Sequence, residues 1–273
     1  LYAAAWKHVP LIESNPIEAV RNNTLATRTM AEIAVEYGVE RFVLISTDKA
    51  VKAKTVMGQS KAVCEWIVEA FGARTDVRTR FVAVRFGNVL GSSGSVIPTF
   101  RKQIAKGGPV TVTHPDMTRY FMTIPEAVQL VVQAGAIGGA GQVFVLDMGE
   151  PVRILDLAHQ MIRLSGKEPE RDIAIEIVGA RPGEKLHEEL WTEDEQVAPS
   201  EHPAILRVSR HGIDEGWLDA ELRELERLVA EGDTLGLVGR LAAMVREPKR
   251  RNGAQAAPAA GAAEAAPATE SVG

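Results

Sequence analysis

The 273 residues contain one cysteine, Cys64, which excludes an internal disulfide and fits a reducing, cytoplasmic setting. No apolar run approaches the ~20 residues of a membrane-spanning helix, so no span is expected within the chain. There is no signal-peptide pattern and no initiating Met. No His/Cys cluster has metal-ligand spacing; His8, His114 and His187 are scattered, and no metal is expected. No basic stretch is long enough for nucleic acid, and the net charge is -5, so no nucleic-acid partner is expected. The short cluster Lys249-Arg250-Arg251 reads as the solvated start of a tail. From Arg251 onward large apolar side chains are almost absent, and that segment is expected to be disordered.

The remainder has the profile of an ordinary globular protein, with 45% apolar and 25% charged residues. Its length suits one large α/β domain or two small ones. Leu1-Tyr2-Ala3-Ala4-Ala5 reads as the end of a buried strand, so the chain is expected to be a fragment that begins inside a domain. Asn15-Pro16-Ile17-Glu18 predicts a helix start, with Asn as N-cap, and Gly38 predicts its stop. The run at 41–46 is apolar without alternation and predicts a buried strand. A helix over 56–71 and a second buried strand over 81–86 follow. Strand, helix and strand at these lengths imply a parallel sheet with crossover helices. Further on, helices are expected at 97–106, after the capping box of Thr123 and Glu126, and at 154–164, with strands at 110–113, 142–147 and 173–178. Residues 218–245 read as two helices split near Gly232.

In an open parallel sheet, ligands sit beyond the carboxyl ends of the strands. Ser46-Thr47-Asp48-Lys49 lies at such an end and delivers a hydroxyl, a carboxylate and an ammonium to one place. A polar turn after a strand would read the same way. Met57 and Lys61 are four apart and share a helix face. Short-chain dehydrogenases carry Tyr, three residues, then Lys on that helix; here the Lys is present and Met57 holds the Tyr position.

The run Val43-Leu44-Ile45-Ser46-Thr47-Asp48-Lys49-Ala50-Val51, then Val56-Met57-Gly58 and Ser60-Lys61, resembles the polysaccharide-biosynthesis family of extended short-chain dehydrogenases. The resemblance continues through Arg85-Phe86-Gly87-Asn88, Thr118-Arg119-Tyr120-Phe121-Met122-Thr123 and Arg181-Pro182-Gly183-Glu184-Lys185-Leu186, and covers roughly residues 1 to 205. It implies an α/β fold: a doubly wound, Rossmann-like parallel sheet lacking its first strands, with a smaller α/β substrate-binding subdomain. Residues 1–90 would be the C-terminal part of the NAD-binding domain. Residues 91–205 would be mainly the nucleotide-sugar subdomain, with a strand and helix returning to the sheet. Residues 206–250 would be a helical C-terminal segment and 251–273 the tail.

The family includes UDP-N-acetylglucosamine 4,6-dehydratases, and members with Met at position 57 resemble the configuration-retaining branch. The resemblance therefore implies a redox-neutral reaction with NAD or NADP. Hydride leaves C4, the C5 proton becomes acidic, water leaves from C6 and hydride returns there. Met57 has no titratable proton, so Asp48, relayed by Thr47, is expected to act at the C4 hydroxyl and later at C6. Lys49 is expected to act as base at C5, and nearby cations such as Lys61 favour its neutral form. Ala3, Ala4, Asn23, Ser46, Lys61 and Phe86 are expected to bind the cofactor. Lys7, Asn88, Ser95, Val96, Arg119, Arg181 and Glu184 are expected to bind the UDP-sugar, Ser95 and Val96 at a helix N-terminus. The family's Gly-rich G-x-G-x-x-G loop has no counterpart in this chain; Gly91-Ser92-Ser93-Gly94 does not fit it. The expected alternatives are a nucleotide-sugar epimerase or an inactive truncated remnant. The full-length protein is expected to be a homo-oligomer, anchored upstream at the cytoplasmic face of the inner membrane as larger relatives are.

Overall fold

The computed structural model describes residues 1–251; the predicted disordered tail, Arg251 apart, lies outside the described residues. The helical elements of the first part are α1 (Val9–Glu13), α2 (Pro16–Ala19), a π-helical turn (Val20–Leu25) and α3 (Ala26–Glu36). Then come β1 (Arg41–Ile45), a 3-10 turn (Asp48–Ala50), α4 (Val56–Gly72), β2 (Arg80–Arg85) and β3 (Asn88–Val89). The middle holds α5 (Val96–Ala105), β4 (Val110–Val112), β5 (Thr118–Arg119), β6 (Phe121–Met122), α6 (Ile124–Ile137) and β7 (Gln142–Leu146). The rest is β8 (Val152–Arg153), α7 (Ile154–Leu164), β9 (Ile175–Ile177), β10 (Gln196–Pro199), β11 (Ile205–Ser209), α8 (Glu215–Glu231) and α9 (Thr234–Arg246).

The main sheet has the order β1-β2-β7-β11-β10, and β1, β2 and β7 are parallel as predicted. Successive residues of a strand point to opposite faces, and this shows that the sheet is doubly wound. Val43, Val82 and Phe144 share one face by register; an added Cβ at Gly135 of α6 or at Gly138 just after it would strike them. Arg85 has the other parity and reaches Glu65 of α4. Helices therefore cover both faces, which is why these strands are apolar without alternation. A second, smaller core of Phe100, Val110, Val112, Met117, Ile154, Ala158, Ile162 and Ile173 holds α5, α7 and β4 together. Among the described residues no helix is long and apolar enough to cross a membrane.

Some expectations need correction. β10 and β11 form an antiparallel hairpin that extends the sheet beyond β7, so the sheet is mixed, and the 205/206 boundary falls inside β11. The Leu1–Ala5 segment is not buried. Tyr2 bridges to Leu44 at the edge of β1, but Leu1 is 74% exposed, because no described element packs over that edge. Asn15 makes no side-chain cap; α1 ends just before it, and its Nδ2 donates to the Leu11 carbonyl instead. Gly38 does end the helix, at φ +62°. Arg250 is not a solvated tail residue: it lies 5.7 Å from the centre of the Trp66 ring and pairs with Glu69, while Arg251 pairs with Glu215.

Under the carboxyl end of β2 lies a buried ionic network. Arg85 is 1% exposed and donates to both Glu65 and Glu195; Arg210 also reaches Glu195 and Glu69. Burial alone would push the Glu195 carboxyl up, but Arg85 and then Arg210 outweigh it and hold it at about 2. A carboxyl lowered from 4.5 contributes stability that is whole above 4.5 and is lost as pH falls from there toward 2. Urea midpoints taken across that window should therefore fall steeply in the wild type. In Glu195→Gln the fall should be shallower, by about 3 kcal/mol over the window.

Candidate active site

β1 ends at Ile45, and the chain is then laced to the second strand of the sheet. Ser46 N donates to the Val84 carbonyl (2.8 Å) and Asp48 N to that of Phe86 (3.0 Å). These bonds fix the Ser46-Thr47-Asp48-Lys49 segment just past the strand ends. Gly58, in the first turn of α4, packs so closely there that a Cβ would sit 2.3 Å from the Lys49 carbonyl oxygen. Thr55 caps that helix by accepting from Gly58 N.

Four polar side chains meet in a line. Thr47 Oγ1 donates to Asp48 Oδ1 (2.8 Å), Lys49 Nζ donates to the same oxygen (2.9 Å), and Lys49 Nζ also donates to Asn88 Oδ1 (3.1 Å). Asn88 stands on β3, which pairs in parallel with β6, and that two-stranded sheet sets its position. Asp48 is fully buried, and its Oδ2 has no hydrogen-bond partner among the described residues. Asp48 therefore faces the cleft only through Thr47 and Lys49. Gly87 leaves room for this: a Cβ there would come 2.8 Å from Tyr120 Cβ and 3.3 Å from Asp48 Oδ2.

The segment borders a cleft of about 480 Å³ between the strand ends and the smaller core. Of the residues singled out from sequence, Ala3, Lys7, Ser46, Thr47, Lys49, Met57, Lys61, Phe86, Asn88, Ser95, Val96, Arg119, Arg181 and Glu184 line it. Three do not. Asp48 lies behind its neighbours, and Ala4 lines a separate shallow concavity with Tyr2 and Asn22. Asn23 is 1% exposed: it accepts from Trp6 N (2.8 Å) and donates to the Trp6 carbonyl (3.1 Å) and to Ser60 Oγ (3.0 Å). It ties the 3–7 wall of the cleft to α4 rather than reaching the cleft. The π-helical turn that carries it is what sequence periodicity could not show.

Several lining residues are committed elsewhere. Ser46 Oγ donates to buried Glu65 (2.6 Å), so its hydroxyl points into the ionic network. Lys61 Nζ donates to the Ile45 carbonyl (2.6 Å) on the cleft floor. Arg119 is 7% exposed and its fork holds the carbonyls of Thr118 (2.7 Å), Lys185 (3.0 Å) and Leu186 (3.2 Å). It therefore staples residues 184–186 to β5. Arg181 is exposed, and the Ser95 hydroxyl at the start of α5 has no partner among the described residues.

Sequence reading missed Glu188 and Lys185, which also line the cleft. Burial pushes the Glu188 carboxyl up, with Lys49, Arg119 and Lys185 opposing and Asp48 adding to the shift. Burial pulls the Lys185 ammonium down, opposed by Glu188. The sequence signal was local: Lys185 lies within the motif at 181–186 and Glu188 two residues beyond it, but neither was singled out as a site residue. Among the described residues no group of three or more His, Cys, Asp and Glu side chains could hold a metal ion.

A family model described as polysaccharide biosynthesis protein matches residues 1–210. The chain belongs to the polysaccharide biosynthesis protein family. Within this family it is 62% identical to the capsular polysaccharide biosynthesis protein CapD of Staphylococcus aureus over 194 residues. That match takes in 71% of the chain and 32% of the relative, so the chain spans about a third of its length. Among solved structures, Pen from Bacillus thuringiensis is 37% identical with a TM-score of 0.70, over 76% of this chain and 65% of that one. A double mutant of DesIV, a dTDP-glucose 4,6-dehydratase from Streptomyces venezuelae with NAD and DAU bound, gives a TM-score of 0.61 at 20% identity. That match covers 69% of this chain and 62% of the other, and it bears on the fold alone. The predicted Rossmann-like α/β fold of the polysaccharide biosynthesis protein family is thus borne out, with the antiparallel hairpin as its addition.

Proposed function

We propose that the chain carries the sugar-transforming part of a 4,6-dehydratase acting on a UDP-N-acetylhexosamine with retention at C5. One observation carries this reading: Thr47, Asp48 and Lys49 form a hydrogen-bonded relay closed by Asn88, beside a helix position where Met57 offers no proton. Membership of the polysaccharide biosynthesis protein family supports it. In the forward direction Thr47 Oγ1 receives the proton of the sugar C4 hydroxyl as its own passes to Asp48. Lys49, entering the cycle as the neutral amine, takes the proton at C5 and gives it back there when hydride returns to C6. Asp48, now protonated, passes that proton back through Thr47 to the C6 hydroxyl as it leaves.

The residues fit the nicotinamide end of NAD. Lys61 spends one N–H on the Ile45 carbonyl, leaving two for ribose hydroxyls, while Ala3 and Ala5 offer only methyl groups to an approaching ring. Bound there, NAD+ would supply the hydride acceptor and donor. Arg181 and the α5 start at Ser95 and Val96 would meet the diphosphate.

The test is to express the chain with the coding sequence upstream of Leu1, add NAD+ and UDP-N-acetylglucosamine, and follow the sugar by NMR. A 4-keto-6-deoxy product with unchanged C5 configuration is expected. An epimer at C4 as the only product would overturn the reading. A second outcome is expected at Met57, which is 4% exposed. Met57→Leu conserves volume and removes no proton, so steady-state turnover should stay within about threefold of wild type.

A further inference from the structure

The chemistry above leaves Glu188 unused. It sits on the segment that Arg119 staples to β5, and it is 8% exposed. Three cations surround its carboxylate without bonding it. Oε1 is 4.0 Å from Lys49 Nζ and 3.8 Å from Arg119 Nε, and Oε2 is 3.8 Å from Lys185 Nζ. Each cation has closer partners: Asp48 and Asn88 for Lys49, the Val51 carbonyl for Lys185, and three carbonyls for Arg119. Oε2 has no hydrogen-bond partner among the described residues. A buried acceptor without a donor costs free energy, and folded chains rarely keep one without a use.

The cleft that Glu188 lines is the source of a donor that suits it, because Lys185, with N–H groups to spare, stands 3.8 Å from Oε2, beyond hydrogen-bond reach. That donor must also be neutral or positive. A phosphate would bring a second anion against the Glu188 carboxylate, whereas Arg181 and the start of α5 at Ser95 and Val96, which line the same cleft, suit an anion. We propose that Glu188 accepts a hydrogen bond from a hydroxyl or N–H of the hexose, holding the sugar over the Lys49 amine while the diphosphate lies toward Arg181. This rests on the reading of the site as one for a UDP-sugar. It adds a recognition group that neither the sequence motif nor the proton relay contains.

The test compares two ligands that differ only by the sugar. UDP and UDP-N-acetylglucosamine are titrated calorimetrically into the wild type, Glu188→Gln and Glu188→Ala, with melting curves as controls. The wild type should bind the sugar nucleotide more tightly than UDP. Gln should erase about fivefold of that preference and Ala about tenfold, with UDP affinity unchanged within twofold. A structural role would instead weaken both ligands together, and that result overturns the proposal. So does a wild type that binds UDP with no gain from the sugar, or a preference that survives in both variants. If the wild type binds neither ligand, the UDP-sugar reading itself fails and Glu188 falls with it. Should Ala lower the melting temperature, the isosteric Gln variant still decides the question.

Discussion

Asp48→Asn should slow formation of the 4-keto sugar by about 10²- to 10⁴-fold, the usual contribution of a positioned general acid–base. Asn keeps the shape of Asp and can still accept from Thr47 and Lys49. What it loses is the ability to take a proton, and Met57 offers none to replace it. Lys49→Ala should cost at least as much, since it removes the C5 base and leaves Asp48 with one donor fewer in a fully buried place. The two effects should be far from additive, because both residues share Asp48 Oδ1. UDP-N-acetylglucosamine affinity should stay close to wild type in Asp48→Asn, since Asp48 does not line the cleft. The measurement is steady-state turnover by NMR, with melting temperatures alongside. Near-normal turnover in both variants would sink the relay.

Much of this site was legible because strands and motifs are local. The runs at β1 and β2 are apolar on both sides of each residue, which only a strand covered on two faces requires. Once they are placed, the carboxyl ends place Thr47, Asp48 and Lys49. Asn23 shows the limit. Its position in sequence was found, but the π-helical turn swings it behind the wall formed by Trp6, where its amide is fully used. Glu188 shows the opposite limit. Beyond its closeness to the 181–186 motif nothing in sequence marks it; it joins the cleft because Arg119, far away in sequence, binds the carbonyls of Lys185 and Leu186 in its segment. The β10–β11 hairpin escaped for a related reason. Its strands are short, Pro199 ends one of them, and their pairing to β7 is a long-range fact.

The largest stability effect should come from Arg85, which touches nothing in the cleft. Arg85→Met should destabilise the fold by about 3–5 kcal/mol, because it leaves Glu65 and Glu195 buried without their main counter-charge. Glu65 is 1% exposed and its side chain also accepts from Ser46 Oγ, so the loss reaches the last residue before Thr47. Arg210 stays within 2.9 Å of Glu195 and 3.6 Å of Glu65, and it will soften the effect. The cycle with Glu195→Gln separates lost attraction from orphaned charge. If the cost lies in the orphaned carboxylates, the double variant will be more stable than the sum of the two singles predicts. Urea midpoints at neutral pH measure each corner, and simple additivity would mean that Arg85 acts through packing alone. The same variants should also lose turnover out of proportion to their distance from the cleft. The route is Glu65 to Ser46 to Thr47: a Glu65 carboxylate that has lost Arg85 is free to shift, and the Ser46 hydroxyl that donates to it shifts the relay out of line with the sugar.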